Sequence, residues 1–152
     1  MKKKVRIAVI TVAIIAVLIA CYAWYYMRPQ PLLDCMQGTD PANGGTVVLY
    51  EQNQDPVTFT VEGSDQVADL WKAMENTQVS FRFGRGMVSA PVDGAYYEVA
   101  LTASQADGTQ TGSYSFGCTS DGKLIIVGSS YSVVGESDLT GQLQALFDQA
   151  DG

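Results

Sequence analysis

Apolar, uncharged residues fill positions 7–27 almost without a break, and the rest of the chain switches between two short periods. As a helix the first run spans about 31 Å, close to the hydrocarbon thickness of a bilayer. Lys2, Lys3, Lys4 and Arg6 precede it and Arg28-Pro29 follows it. Cations on the N-terminal side place the N-terminus in the cytoplasm and everything after the helix across the membrane. Tyr22, Trp24, Tyr25 and Tyr26 cluster at the far end, where amphipathic rings favour the headgroup layer.

Beyond residue 45 the pattern alternates every second residue, as half-buried strands do. Residues 46–51 and 57–61 form a hairpin around Asn53-Gln54-Asp55-Pro56, with Val57, Phe59 and Val61 on one face. Val79, Phe81 and Phe83 mark a third strand. Residues 96–104, 111–118, 123–127 and 131–134 continue the alternation. Asp107-Gly108 and Asp121-Gly122 between them suit tight hairpins, because such pairs accept positive φ.

The period lengthens twice. Val67, Leu70, Trp71 and Met74 form the stripe of a helix capped by Ser64 and ending near Asn76, with Trp71 as a core residue. Leu139, Leu143, Leu146 and Phe147 form the stripe of a closing helix capped by Ser137, and Asp138 complements its dipole. The order is β-β-α-β-β-β-β-β-α. The predicted fold is α+β: an antiparallel sheet of six to seven strands, with both helices on its one apolar face. The opposite face carries Thr58, Thr60, Ser80, Arg82, Glu98, Thr102, Ser113 and Ser115.

Residues 1–28 are thus an anchor, 46–152 an extracytoplasmic domain, and 29–45 a proline-containing tether with a short packed piece around Leu32. The predicted location is the cell membrane, single-pass, contacted through residues 7–27. A second reading competes. Leu18-Ile19-Ala20-Cys21 resembles the bacterial lipobox, which implies a signal peptide cut before a lipid-modified Cys21. Lipoproteins usually continue with a polar tether, whereas residues 22–27 stay apolar and aromatic. Both readings hold the domain on the same side.

Charge sharpens the picture. All sixteen acids lie beyond residue 28 against four cations there (Lys72, Arg82, Arg85 and Lys123), a formal −12 that the whole-chain −7 conceals. Taken as a whole, such a domain is repelled by nucleic acid and by anionic headgroups. Histidine is absent, and with it the commonest general base and metal ligand. Of the three cysteines, Cys35 and Cys118 form a disulfide candidate outside the cytoplasm, closing a loop of about 83 residues worth roughly 4 kcal/mol. Two free thiols are the alternative. Two cysteines without histidine fall short of a zinc site, and no cofactor is implied.

The sequence carries no catalytic motif. Ser120-Asp121-Gly122-Lys123 matches the Ser-x-x-Lys of penicillin-binding proteins, but on a hairpin turn and without its partner motifs. Calcium-loop spacing and phosphate-cradling glycines are missing. Among sixteen acids some pair is always adjacent, so a carboxylate-based hydrolase is an alternative without a specific signal. A cation-responsive acidic domain is another. The segment that stands out is the loop 84–94, which carries Arg85 beside Met87. With Arg82 it forms a candidate grip for a carboxylate or phosphate on an envelope partner. The competing expectation is that Arg82 pairs with Glu98 across strands. The favoured function is a membrane-tethered binding or accessory domain without catalytic activity.

The run from Ser64 to Phe147, a helix, a long loop, a meander broken by polar turns and a Ser-capped closing helix, resembles the YhfM-like domain of small extracytoplasmic Gram-positive lipoproteins. That resemblance implies a TATA-binding-protein-like architecture, β-β-α-β(4–5)-α, and a membrane-tethered domain with no defined activity. The fold name alone does not license DNA binding.

Overall fold

The computed structural model describes residues 2–36, 38, 40–83 and 94–150. Helix α1 runs from Lys2 to Met27, buries no residue, and is long and apolar enough to cross a membrane. The body that follows is α+β. Strand β1 is Gln30–Pro31, and a 3-10 turn occupies Leu32–Cys35. Next come β2 (Gly44–Glu51), β3 (Val57–Val61) and helix α2 (Ser64–Glu75). Strands β4 (Gln78–Arg82), β5 (Ala95–Ser104), β6 (Gln110–Thr119), β7 (Lys123–Ile126) and β8 (Ser129–Val134) precede helix α3 (Leu139–Ala150).

All eight strands join one antiparallel sheet in the order β1-β4-β8-β7-β6-β5-β2-β3. Helix α2 therefore carries the chain across the sheet, from the β3 edge to β4 near the other edge. Strand count and order both depart from the expected TATA-binding-protein-like sheet of six to seven strands. The added strand is β1, whose two residues pair with Val79 and Gln78. Two residues are too few to show an alternation, and Pro31 is tolerated because an edge strand need not donate on its outer side.

The stretch expected as a tether is instead a strap on the sheet. Leu32 is fully buried and its N–H donates to the Thr77 carbonyl at 2.9 Å. Gly38 bridges to Gly112 on β6, and the Tyr114 hydroxyl donates to the Asp40 carbonyl. Ala42 is buried, and Asn43 closes the strap by donating its N–H to the Thr102 carbonyl at 2.9 Å. Packed structure thus begins at Gln30. No spacer separates it from α1: the Ser80 hydroxyl donates to the Met27 carbonyl at 2.6 Å.

Register puts the alternating apolar residues on one face. Phe59, Val47, Val99 and Phe116 form one row; Leu49, Tyr97, Cys118, Leu124, Tyr131 and Phe81 form the next. Both helices cover this face, as expected. Trp71 of α2 meets the Tyr114 ring edge-on at 4.8 Å, so it is a core residue in a half-buried setting. Phe147 of α3 meets Tyr97 at 6.1 Å and Phe59 at 6.0 Å.

Helix starts differ in detail. Helix α2 begins at Ser64 itself with Gly63 at the N-cap, where no side chain caps it. The Ser137 hydroxyl does accept from the Leu139 N–H at 3.2 Å, and it shares a 2.7 Å hydrogen bond with the fully buried Thr77. Val127, expected to end a strand, is instead in the β7–β8 turn. Ile126 pairs with Ser129, leaving Val127 (φ 48°) and Gly128 (φ 77°) as a two-residue loop with positive φ at both positions, the form that matches strand twist.

Candidate functional site on the open sheet face

The face away from the helices carries the polar positions that the alternation leaves outside. Thr58, Val48, Glu98, Gly117, Ile125, Ser130 and Arg82 form one row across it. Arg82 lies on β4 opposite Ser130 and is exposed. Glu98 lies on β5, four strands away in sheet order. At about 4.8 Å per strand that is roughly 19 Å. The expected Arg82–Glu98 pair is therefore excluded by topology. Arg85 and Met87 lie outside the described residues.

Glu98 has a different neighbourhood. The Tyr50 hydroxyl donates to its Oε2 at 3.2 Å, and the Tyr50 ring lies 5.8 Å from that of Tyr96. The Tyr96 ring in turn lies across Gly117, filling the space a side chain would take there. Gly117 is buried although it belongs to the open face. Two tyrosine rings and a carboxylate thus share one flat patch over β2, β5 and β6. The hydrogen bond to Glu98 raises the Tyr50 hydroxyl above its ordinary pKa, and burial raises that of Tyr96. Both remain neutral donors at neutral pH. Beside them lie Thr46, Thr60, Thr102, Ser113 and Ser115, which give the face a hydroxyl-rich floor.

This arrangement suits stacking and hydrogen bonding. The patch was hidden in the sequence because its members come from three strands. The usable signals were Gly117 inside a strand and tyrosines at the polar parity of β2 and β5.

Several depressions flank the sheet among the described residues. One, of about 610 Å³, lies where β6 outruns β7 and is lined by Met36, Gln110, Gly112, Ser113, Ser115 and Val127. Another, of about 560 Å³, is lined by Pro41, Ala42, Val67, Ala68, Trp71 and Glu75; the Trp71 indole N–H donates to Glu75 Oε1 at 2.9 Å.

Cys21, Cys35 and Cys118 are free thiols in this structure. Cys118 on β6 pairs with Leu124, and Leu124 with Tyr131 on β8. Cys35 sits beside Tyr131, its sulfur 3.7 Å from the Pro31 carbonyl. Two strand spacings, about 10 Å, separate the Cys118 and Tyr131 positions. Burial pushes the Cys118 thiol up to about 12, with Asp121 adding to it, and burial followed by Asp34 raises Cys35. Protonated thiols are poor nucleophiles and poor metal ligands. Cys21 is exposed on α1.

The Ser-x-x-Lys match is a turn. The Ser120 hydroxyl accepts from the Ala95 N–H at 3.2 Å, and Lys123 pairs with Asp121 at 3.0 Å. Thr119 and then Lys123 hold the Asp121 carboxyl below its ordinary pKa. Among the described residues no three potential ligands cluster for a metal ion. No protein-family model, curated protein or solved structure matches the chain.

Proposed function

We propose that the chain is a membrane-tethered, extracytoplasmic binding or accessory domain of the bacterial envelope that acts by holding a partner and not by catalysis. The observation that carries this reading is the open sheet face. Its Tyr50–Tyr96–Glu98 patch and hydroxyl floor are left uncovered by both packed helices, in a body joined to α1 without a spacer. The basic start of the chain supports an N-terminus in the cytoplasm with this face outside. Kinship with YhfM-like lipoproteins belongs to the same proposal, supported by the helix–meander–helix order between α2 and α3.

A photo-crosslinking residue placed at Tyr96 in cells tests the reading, with one at Val57 for comparison. The expected result is a discrete adduct from position 96 that Glu98→Lys removes. Equal labelling from both positions, or substrate turnover by the purified chain, would defeat it. Mass spectrometry of the mature protein separates the two anchors: an intact N-terminus marks a spanning helix, and an acylated Cys21 marks a lipoprotein.

A further inference from the structure

One end of the sheet combines exposed apolar residues, backbone strain and the attachment of the apolar helix. Strand β1 runs antiparallel to β4 and starts opposite Val79, so the chain before it lies toward Ser80 and Arg82. The Ser80–Met27 hydrogen bond fixes α1 there. At the same end β4 finishes and the β7–β8 hairpin turns, because Arg82 pairs with Ser130 and Ile126 with Ser129.

Among the described residues outside α1, three large apolar side chains are strongly exposed: Val57, Phe83 and Val127. Phe83 (64%) and Val127 (90%) both lie at this end. Val127 combines two unfavourable conditions. It is a β-branched residue with φ of 48°, and its side chain stands in solvent at a turn position suited to Asn or Gly. Neither condition helps the fold in water. Two arginines accompany these residues: Arg82 is exposed beside Phe83, and Arg28 sits over the Tyr25 ring at 4.4 Å. Arg82 is one of only four cations beyond residue 28, so with Arg28 beside it this corner is cationic as well as apolar. At this end β6 continues beyond its pairing with β7, from Gly117 opposite Ile125 to Gln110, and a twist of about 20–25° per strand, over the three to four strand steps from β4, turns the β5–β6 hairpin aside from the β4 direction.

We propose that this end of the sheet rests in the interfacial layer of the membrane that holds α1. Phe83 and Val127 enter the apolar boundary, and Arg28 and Arg82 meet lipid phosphates. The proposal rests on the anchoring reading, because only α1 brings this corner to a bilayer. Apolar tips below a cationic rim are the chemistry an interface selects. Docked this way, the domain sits on the membrane in a fixed orientation instead of hanging from it.

The test uses the full chain in vesicles of phosphatidylcholine and phosphatidylglycerol, with Cys21→Ser and Cys35→Ser removing the accessible thiols and buried Cys118 retained. An environment-sensitive fluorophore is attached in turn at Val127→Cys, Phe83→Cys and Val57→Cys, the last on the far edge strand. With brominated lipids, quenching at 127 and 83 is expected to exceed that at 57 at least threefold. Equal quenching at all three positions, in protein that floats with the vesicles, overturns the docked orientation and leaves the anchor standing. Protein that does not float overturns both.

Discussion

Single residues set several local costs that the rest of the fold outweighs. Val127 is the clearest, since an L-residue in the left-handed region costs roughly 1–2 kcal/mol. Val127→Asn is therefore expected to raise unfolding stability in solution by about 1 kcal/mol, read from denaturant midpoints at constant slope. Gly45 is the opposite case. A Cβ there would lie 2.7 Å from the Leu101 Cα and press on the Ala100 carbonyl, both backbone atoms of β5. Gly45→Ala is expected to cost at least about 2 kcal/mol in the same measurement, because two paired strands must separate to admit it. Cys118 supplies a pH dependence. Its thiol is held near 12 when folded, against about 8.5 unfolded, so above pH 8.5 the unfolded chain binds fewer protons than the folded one. Stability then falls as pH rises from about 8.5 toward 12, at up to about 1.4 kcal/mol per pH unit for this group. Thermal melts between pH 8 and 10 should show the fall, and Cys118→Ala should flatten its slope. Cys118 was legible as a buried-face residue from its alternation with Tyr114 and Phe116. The Val127 turn was not, since valine is a strand former and only its pairing register places it in a loop.

At the scale of elements, long periodic segments were readable and short ones were not. Helices α2 and α3 and strands β2 to β8 each repeat a pattern often enough to be recognised. Strand β1 has two residues, one a proline, and the strap after it is held by backbone bridges that leave no periodicity. Its energetic centre is Leu32, fully buried at the foot of α2. Leu32→Ala is expected to cost about 2–5 kcal/mol, the range for a leucine removed from a close-packed core. Urea titration of the purified chain measures it, with Val57→Ala, at an exposed position, expected near zero. The start of α2, with Gly63 and not Ser64 at the N-cap, also shows why caps are read less securely than stripes. Ser64 has the right chemistry for an N-cap, yet it falls inside the first turn, and its hydroxyl reaches only the neighbouring Asp65.

For the whole molecule, the sheet order decides what was legible of the site. Faces follow from alternation, so the open polar face could be listed from the sequence. Neighbours across it could not, because β5 pairs with β2 and β6 while β4 pairs with β1 and β8. That is why Arg82 and Glu98 seemed natural partners and why the Tyr50–Tyr96–Glu98 patch went unseen. The same order makes a prediction about boundaries. A fragment of residues 29–152 keeps the strap and is expected to melt cooperatively. A fragment of residues 46–152 lacks Leu32, Ala42 and the Asn43 hydrogen bonds, and is expected to be several kcal/mol less stable or not to fold. Circular dichroism melts of the two fragments compare them directly.

The strap also stores length. Any pull on the body through α1 falls first on β1, whose two residues make it the shortest of the eight strands. Peeling residues 30–42 away would free a segment of roughly 45 Å extended length, at about 3.3–3.6 Å per residue. On the anchoring proposed above, the resting body reaches only what lies just above the lipid. Load alone would extend that reach, at the expense of uncovering the site that Leu32 fills.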